Sequence, residues 1–173
     1  HQRDSRKRLQ PKTALSAPPN PPPPALDSPF QRSILAQPSM SKSKKDFKVA
    51  LLSLQKDTQR APPFGLVYVA TYLRDRVGLD GQNVRVFDSY YSKDVEGELR
   101  AFQPDLIGFT AMSVNYGETI RFARQIRGAF SCPFVVGGVH VSTLAESLDP
   151  VFDLGVIGEG EWTLQELVDI LLE

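Results

Sequence analysis

Cysteine is nearly absent from this chain of 173 residues: Cys132 stands alone. One thiol excludes an internal disulfide framework, a cysteine zinc site and an iron–sulfur cluster held within the chain. No run of 18 apolar residues occurs, so nothing in the sequence reads as a membrane-spanning helix. An apolar signal-peptide core is missing as well, which makes the cytoplasm, with a reduced thiol, the expected compartment. Net charge is also lacking, since 20 Lys+Arg cancel 20 Asp+Glu. No whole-molecule field is left to steer nucleic acid or an anionic membrane surface, and neither is expected as a partner. The zero conceals an asymmetry, because residues 1–48 carry a net +7 and the remaining 125 a net −7.

Glycine is missing from residues 1–39, and Phe30 is the one aromatic there, while 9 of the 14 prolines fall in this stretch, Pro21–Pro24 among them. Such a composition cannot bury enough surface to offset chain entropy. Arg3, Arg6, Lys7 and Arg8 raise the alternative of a transit peptide, but the prolines oppose the amphipathic helix such a signal needs. The first methionine, Met40, precedes a lysine-rich lead-in, Ser41–Lys48. Residues 1–46 therefore read as a disordered Pro- and basic-rich tail, and residues 47–173 as one folded domain of ordinary size.

From Phe47 onward, short apolar runs alternate with helical spacing. Strands are expected at Phe47–Leu54, Asn83–Asp88, Asp105–Thr110, Pro133–Val136 and Asp153–Ile157. Helices are expected at Phe64–Arg76, Lys93–Phe102, Tyr116–Phe130, Ser142–Leu148 and Glu161–Leu172. Five β units separated by helices imply a parallel sheet covered on both faces, an α/β flavodoxin-like three-layer sandwich with strand order 2-1-3-4-5. Ligands of such sheets lie outside the carboxyl ends of the strands, which directs attention to the loops Gln55–Phe64, Ala111–Tyr116, Gly137–Ser142 and Gly158–Glu161.

Those loops lack the common nucleotide motifs. Neither G-x-G-x-x-G nor G-x-x-x-x-G-K-[ST] follows the first strand. A phosphate-accepting receiver would need an aspartate ending the third strand and a lysine after the fifth; Thr110 stands in the first place, and no lysine follows Lys93. Pro62-Pro63 suits a helix start. Thr110, Ser113 and Asn115 surround Met112 with small polar groups, fit for an apolar ligand with a few polar handles, although Ser113 or Asn115 also suits a helix N-cap. Gly137-Gly138 marks close approach to the backbone or positive φ, and a side chain at Gly138 is expected to occupy ligand volume. His140, beyond the pair, is open to a ligand, hydrogen-bonding or structural role. Gly158-Glu159-Gly160-Glu161 runs into the last helix, with Trp162 reading as core. No partner base, nucleophile or metal cluster makes a catalytic pair of the glutamates.

In combination, PPFG, the aspartate-ended VFD, PDLIGFTAMS, VVGGVHVST and VIGEGEWTLQEL resemble the cobalamin-binding domain at the N-terminus of many radical S-adenosylmethionine enzymes. The resemblance covers about Phe47 to Glu173. Cobalamin domains of the methionine synthase and methylmalonyl-CoA mutase type carry D-x-H-x-x-G, S-x-L and GG. Thr110-Ala111-Met112 is similar to the second element and Gly137-Gly138 to the third, with similar spacing between them. The first element departs: Asp57-Thr58-Gln59 has glutamine where that family has its cobalt-ligating histidine. Radical enzymes of this class generally lack that histidine too.

The resemblance implies cobalamin bound base-off, without a protein histidine ligand, its nucleotide tail sliding between strand ends and flanking helices. Cofactor-binding positions would be Thr110, Met112, Ser113, Gly137, Gly138, Val139, His140, Gly158, Glu159, Gly160 and Glu161. The [4Fe–4S] cluster and S-adenosylmethionine would belong to a C-terminal radical domain not present here, since one cysteine cannot make C-x-x-x-C-x-x-C. The chain is then expected to be a non-catalytic fragment, or a stand-alone carrier, serving methyl transfer or radical rearrangement. Two rivals remain: a cofactor-free flavodoxin-like interaction domain, and a small hydrolase or transferase using Glu159 or Glu161.

Overall fold

Strands covered on both faces need continuous apolar sequence, and the stretch VALLS is buried at all five positions. It forms β1 (Val49–Ser53), the middle of a sheet completed by β2 (Val84–Asp88), β3 (Leu106–Thr110), β4 (Phe134–Gly137) and β5 (Leu154–Gly155). The computed structural model describes residues 42–55 and 62–173. Strand order is 2-1-3-4-5 and every neighbouring pair is parallel, the arrangement expected from the alternation of elements.

Among the described residues five helices cover the sheet: α1 (Phe64–Tyr72), α2 (Val95–Phe102), α3 (Tyr116–Arg127), α4 (Val139–Thr143) and α5 (Gly160–Leu172). A π-helical turn, Leu73–Val77, prolongs α1 until Gly78, at φ +81°, ends it in the left-handed region. Asp94 starts α2 by accepting a hydrogen bond from Gly97 N at 2.8 Å. Several expected boundaries move. The helix expected at Ser142–Leu148 starts instead at Val139 and stops at Thr143, followed by a 3-10 turn at Ala145–Ser147. The reason is Gly138, whose φ of +97° turns the chain out of β4 straight into a helix. The α3 helix ends at Arg127 rather than Phe130, and β5 is two residues long.

The core has two layers. Val49, Leu51, Leu106, Val135 and Val156 pack against Leu66, Val69 and Leu73 on one side of the molecule and Leu164, Leu167 and Val168 of α5. On the other face Leu52, Ile107, Phe109, Phe134 and Val136 meet Val95 and Leu99 of α2, Ala123 and Ile126 of α3, and Val141 of α4. Each such side chain contributes about 1.5–3 kcal/mol by leaving water. Residues 42–46, assigned to the tail by composition, form a turn that reaches the domain through Lys42 Nζ to Asp105 (2.7 Å) and Lys44 Nζ to Asp169 (2.8 Å).

Candidate functional site

Alternation along the strands decides what lies at the carboxyl edge. Val49 and Leu51 face the α1/α5 layer, so Ser53 faces it too; Leu106 does the same for Gly108 and Thr110, and Val135 for Gly137. Parallel register then aligns Ser53 with Thr110 and Thr110 with Gly137. Two residues deeper, Leu51, Gly108 and Val135 stand side by side. Three neighbouring strands thus end in a floor with no side chain larger than threonine, and a cleft of about 680 Å³ opens over it. Its walls are Gly65, Leu66 and Val69 of α1 and Gly160, Glu161 and Leu164 of α5, with Pro62-Pro63 at one end. Ser53 is 3% exposed, and its hydroxyl makes no hydrogen bond among the described residues. A buried donor therefore faces the cleft.

Nine of the eleven positions singled out from the sequence line this cleft: Thr110, Met112, Gly137, Gly138, Val139, Gly158, Glu159, Gly160 and Glu161. Ser113 and His140 do not. The His140 ring is buried 4.0 Å from the Tyr116 ring, with Nδ1 2.9 Å from Ser113 Oγ and Nε2 2.9 Å from Ser147 Oγ. Both nitrogens are engaged, behind the cleft wall. Gly138 lines the cleft, yet a Cβ there would meet Ala111 O at 2.7 Å and Thr110 Oγ1 at 2.9 Å. This corrects the expectation of pure ligand clearance: the close approach at Gly138 is to the protein's own backbone. Trp162, expected in the core, is 67% exposed in the first turn of α5. The loop position Gln59 lies outside the described residues.

Sequence reading missed Ser53 and Gly108, and it offered Asn115 only as a polar group beside Met112 or as a helix N-cap. Ser53 and Gly108 sit inside apolar strand runs, and the signal that could have exposed them is the small residue at alternate positions near strand ends. Asn115 occupies the N-cap position of α3 without capping it through its side chain. Instead its Oδ1 accepts from Met112 N at 2.8 Å, and its Nδ2 donates to Leu54 O at 2.9 Å. It is one link in a belt across the loops. Gln55 Nε2 donates to Asp88 Oδ2 (2.7 Å), joining the loops after β1 and β2, Asn115 ties the loops after β1 and β3, and His140–Ser113 ties those after β3 and β4. Gly158 N donates to Ser142 Oγ at 2.9 Å, closing the belt to β5.

Chemically the cleft offers apolar walls, small hydroxyls and two carboxylates. Among the described residues no group of three or more His, Cys, Asp or Glu could hold a metal ion. Large exposed apolar side chains gather at the same edge, with Phe64 at the start of α1, Met112 and Val114 after β3, Val139 after β4, and Ile157 and Trp162 after β5. A cleft with an apolar rim suits a large, mostly apolar ligand with a few hydrogen-bonding groups. No helix among the described residues is long and apolar enough to cross a membrane.

Comparison with known proteins gives two matches. A family model described as B12 binding domain matches residues 52–168. An uncharacterized methyltransferase of Pyrococcus horikoshii is 32% identical over 120 residues. That alignment covers 64% of this chain and 25% of the relative, so the chain spans about a quarter of the protein it matches. No solved structure matches significantly.

Proposed function

The chain belongs to the B12-binding domain family, and we propose that its carboxyl-edge cleft holds cobalamin base-off, with the nucleotide tail entering between the sheet and helices α1 and α5. The observation that carries this reading is the floor of Ser53, Thr110 and Gly137 over Gly108, where larger side chains would fill the space. Ser53 Oγ and Thr110 Oγ1 would offer hydrogen bonds to polar atoms of the tail, and Gly65 and Gly160 keep the helix walls low. The apolar rim would meet the flat face of the macrocycle. Base-off binding is supported by Gln59 in the place of a ligating histidine and by the engagement of both His140 nitrogens with serine hydroxyls.

When bound, cobalamin supplies the cobalt-centred chemistry of methyl transfer or radical rearrangement, and the protein supplies position and environment. The loops after β3 and β4 hold their residues at the cleft through the belt of hydrogen bonds, and the apolar walls would exclude water from the bound cofactor. The parent activity we propose is that of a radical S-adenosylmethionine enzyme of methyltransferase type. Its support is the GG-x-H and GEGE pattern and the methyltransferase named among the relatives. The [4Fe–4S] cluster and S-adenosylmethionine would sit in a partner radical domain, with residues 47–173 as the cobalamin module.

The test is colour. Purified chain is mixed with hydroxocobalamin and desalted, with folding checked by circular dichroism. Retained visible absorbance at about one cofactor per chain is the expected result. Folded, colourless protein overturns the proposal in favour of a cofactor-free interaction domain.

A further inference from the structure

The proton inventory around His140 is complete enough to assign its tautomer. Ser147 Oγ lies 2.6 Å from Leu144 O, a carbonyl that can only accept, so the single hydroxyl hydrogen of Ser147 goes there. Toward His140 Nε2, 2.9 Å away, Ser147 Oγ can then only accept. In the neutral ring Nε2 therefore carries the proton, Nδ1 is the acceptor, and Ser113 Oγ donates to it across 2.9 Å. The chain of donors runs one way, from Ser113 through His140 and Ser147 to the Leu144 carbonyl.

The ring has little freedom to do anything else. Tyr116 lies against it at 4.0 Å, and the Tyr116 hydroxyl donates to Ser147 O (2.9 Å) while accepting from Asp149 N (3.0 Å). The same residue takes hold of the β3–α3 loop at a second point, since His140 N donates to Ala111 O at 3.1 Å. Ala111 and Ser113 flank Met112, which is 43% exposed and lines the cleft.

We infer that His140 is a positioning residue for the cleft: fixed as the Nε2–H tautomer, it grips the loop on both sides of Met112 and holds Met112 and Thr110 at the ligand edge. Its effect on cofactor affinity rests on the proposed cobalamin site; its effect on the loop does not.

The experiment has two arms. The chain contains two histidines, His1 and His140, and two methionines, Met40 and Met112, so labelled ring nitrogens and methionine methyl groups give few and assignable signals. In the cofactor-free arm, NMR of wild-type protein is expected to give a pyrrole-type Nε2 and a pyridine-type Nδ1 for His140. Ser113→Ala and His140→Gln are expected to shift or broaden the Met112 methyl signal. His140→Asn, whose side-chain oxygen takes the place of Nδ1 toward Ser113, is expected to keep it close to wild type. In the cofactor arm, Ser113→Ala and His140→Gln should weaken hydroxocobalamin binding about five- to tenfold, the loss of one hydrogen bond, and His140→Asn about twofold or less. Both His140 variants lose the ring packed on Tyr116, so melting temperature falls in both and does not follow the Asn–Gln difference.

Equal behaviour of His140→Asn and His140→Gln in both arms would mean that His140 only supports the fold, and the inference falls. It also falls with the opposite tautomer, or with a Met112 signal unmoved in Ser113→Ala. Wild-type protein that binds no hydroxocobalamin defeats the proposed function alone, while the methyl and ring signals still decide the role of His140.

Discussion

Gly138→Ala tests the reading of the strand-to-helix turn. At φ +97° and ψ −177° this residue occupies a region that glycine essentially owns, and holding alanine there costs about 1–3 kcal/mol. The new Cβ would also stand 2.7 Å from Ala111 O and 3.0 Å from Ala111 N. These are backbone atoms that cannot rotate away, and relieving such overpacking costs about 1–3 kcal/mol more. Movement of Ala111 would stretch two hydrogen bonds, Ala111 N to Gly137 O (2.9 Å) and His140 N to Ala111 O (3.1 Å). The expected total is about 2–6 kcal/mol, a fall in melting temperature of roughly 6–24 °C for a domain of this size. Thermal unfolding followed by circular dichroism measures it. Gly160→Ala is the control: its Cβ would sit 3.7 Å from Val69 Cγ2, an ordinary contact at the start of a helix, and stability should stay within about 1 kcal/mol of wild type. If Gly138→Ala melts within about 3 °C of wild type, the turn is not strained and the reasoning fails.

Burial, the largest cause, pushes the Cys132 thiol up to about 12; at pH 8 the folded protein should resist thiol reagents that label it fully in denaturant, and rapid labelling without denaturant would contradict this. Cob(II)alamin bound to the chain should give a base-off electron paramagnetic resonance spectrum without threefold nitrogen splitting, unchanged in His140→Ala. Splitting that vanishes in that variant would make His140 the axial ligand. Deleting residues 1–39 should leave the melting temperature unchanged, since they have neither core residues nor a helix pattern, and a lowered value would contradict the compositional argument.

Much of the fold was legible because its signals are local. Buried parallel strands leave continuous apolar runs, and covering helices leave a 3.6-residue rhythm, so LLSL, LIGF and FVV declare their partners' topology by alternation alone. Boundaries were less legible where a single dihedral decided them. Nothing in GGVHVST says which glycine takes positive φ, and that choice at Gly138 moved the start of α4 by three residues. The candidate loops were readable from glycines and small polar residues at strand ends, which is why so many of the positions named from sequence meet in one cleft.

The sequence by itself determined the α/β class and the strand order, and it directed attention to the carboxyl edge of the sheet. Only the tertiary structure decided which small residues become floor. Ser53, Thr110 and Gly137 are 57 and 27 positions apart along the chain and become neighbours through parallel register. It also decided the roles of the polar groups. Trp162 as surface, Asn115 as a tie between loops and His140 as a ring held by two serines all depend on partners that are distant in sequence or set by a turn. A hydrogen bond across tertiary contacts has no periodicity, so local pattern carries no trace of it.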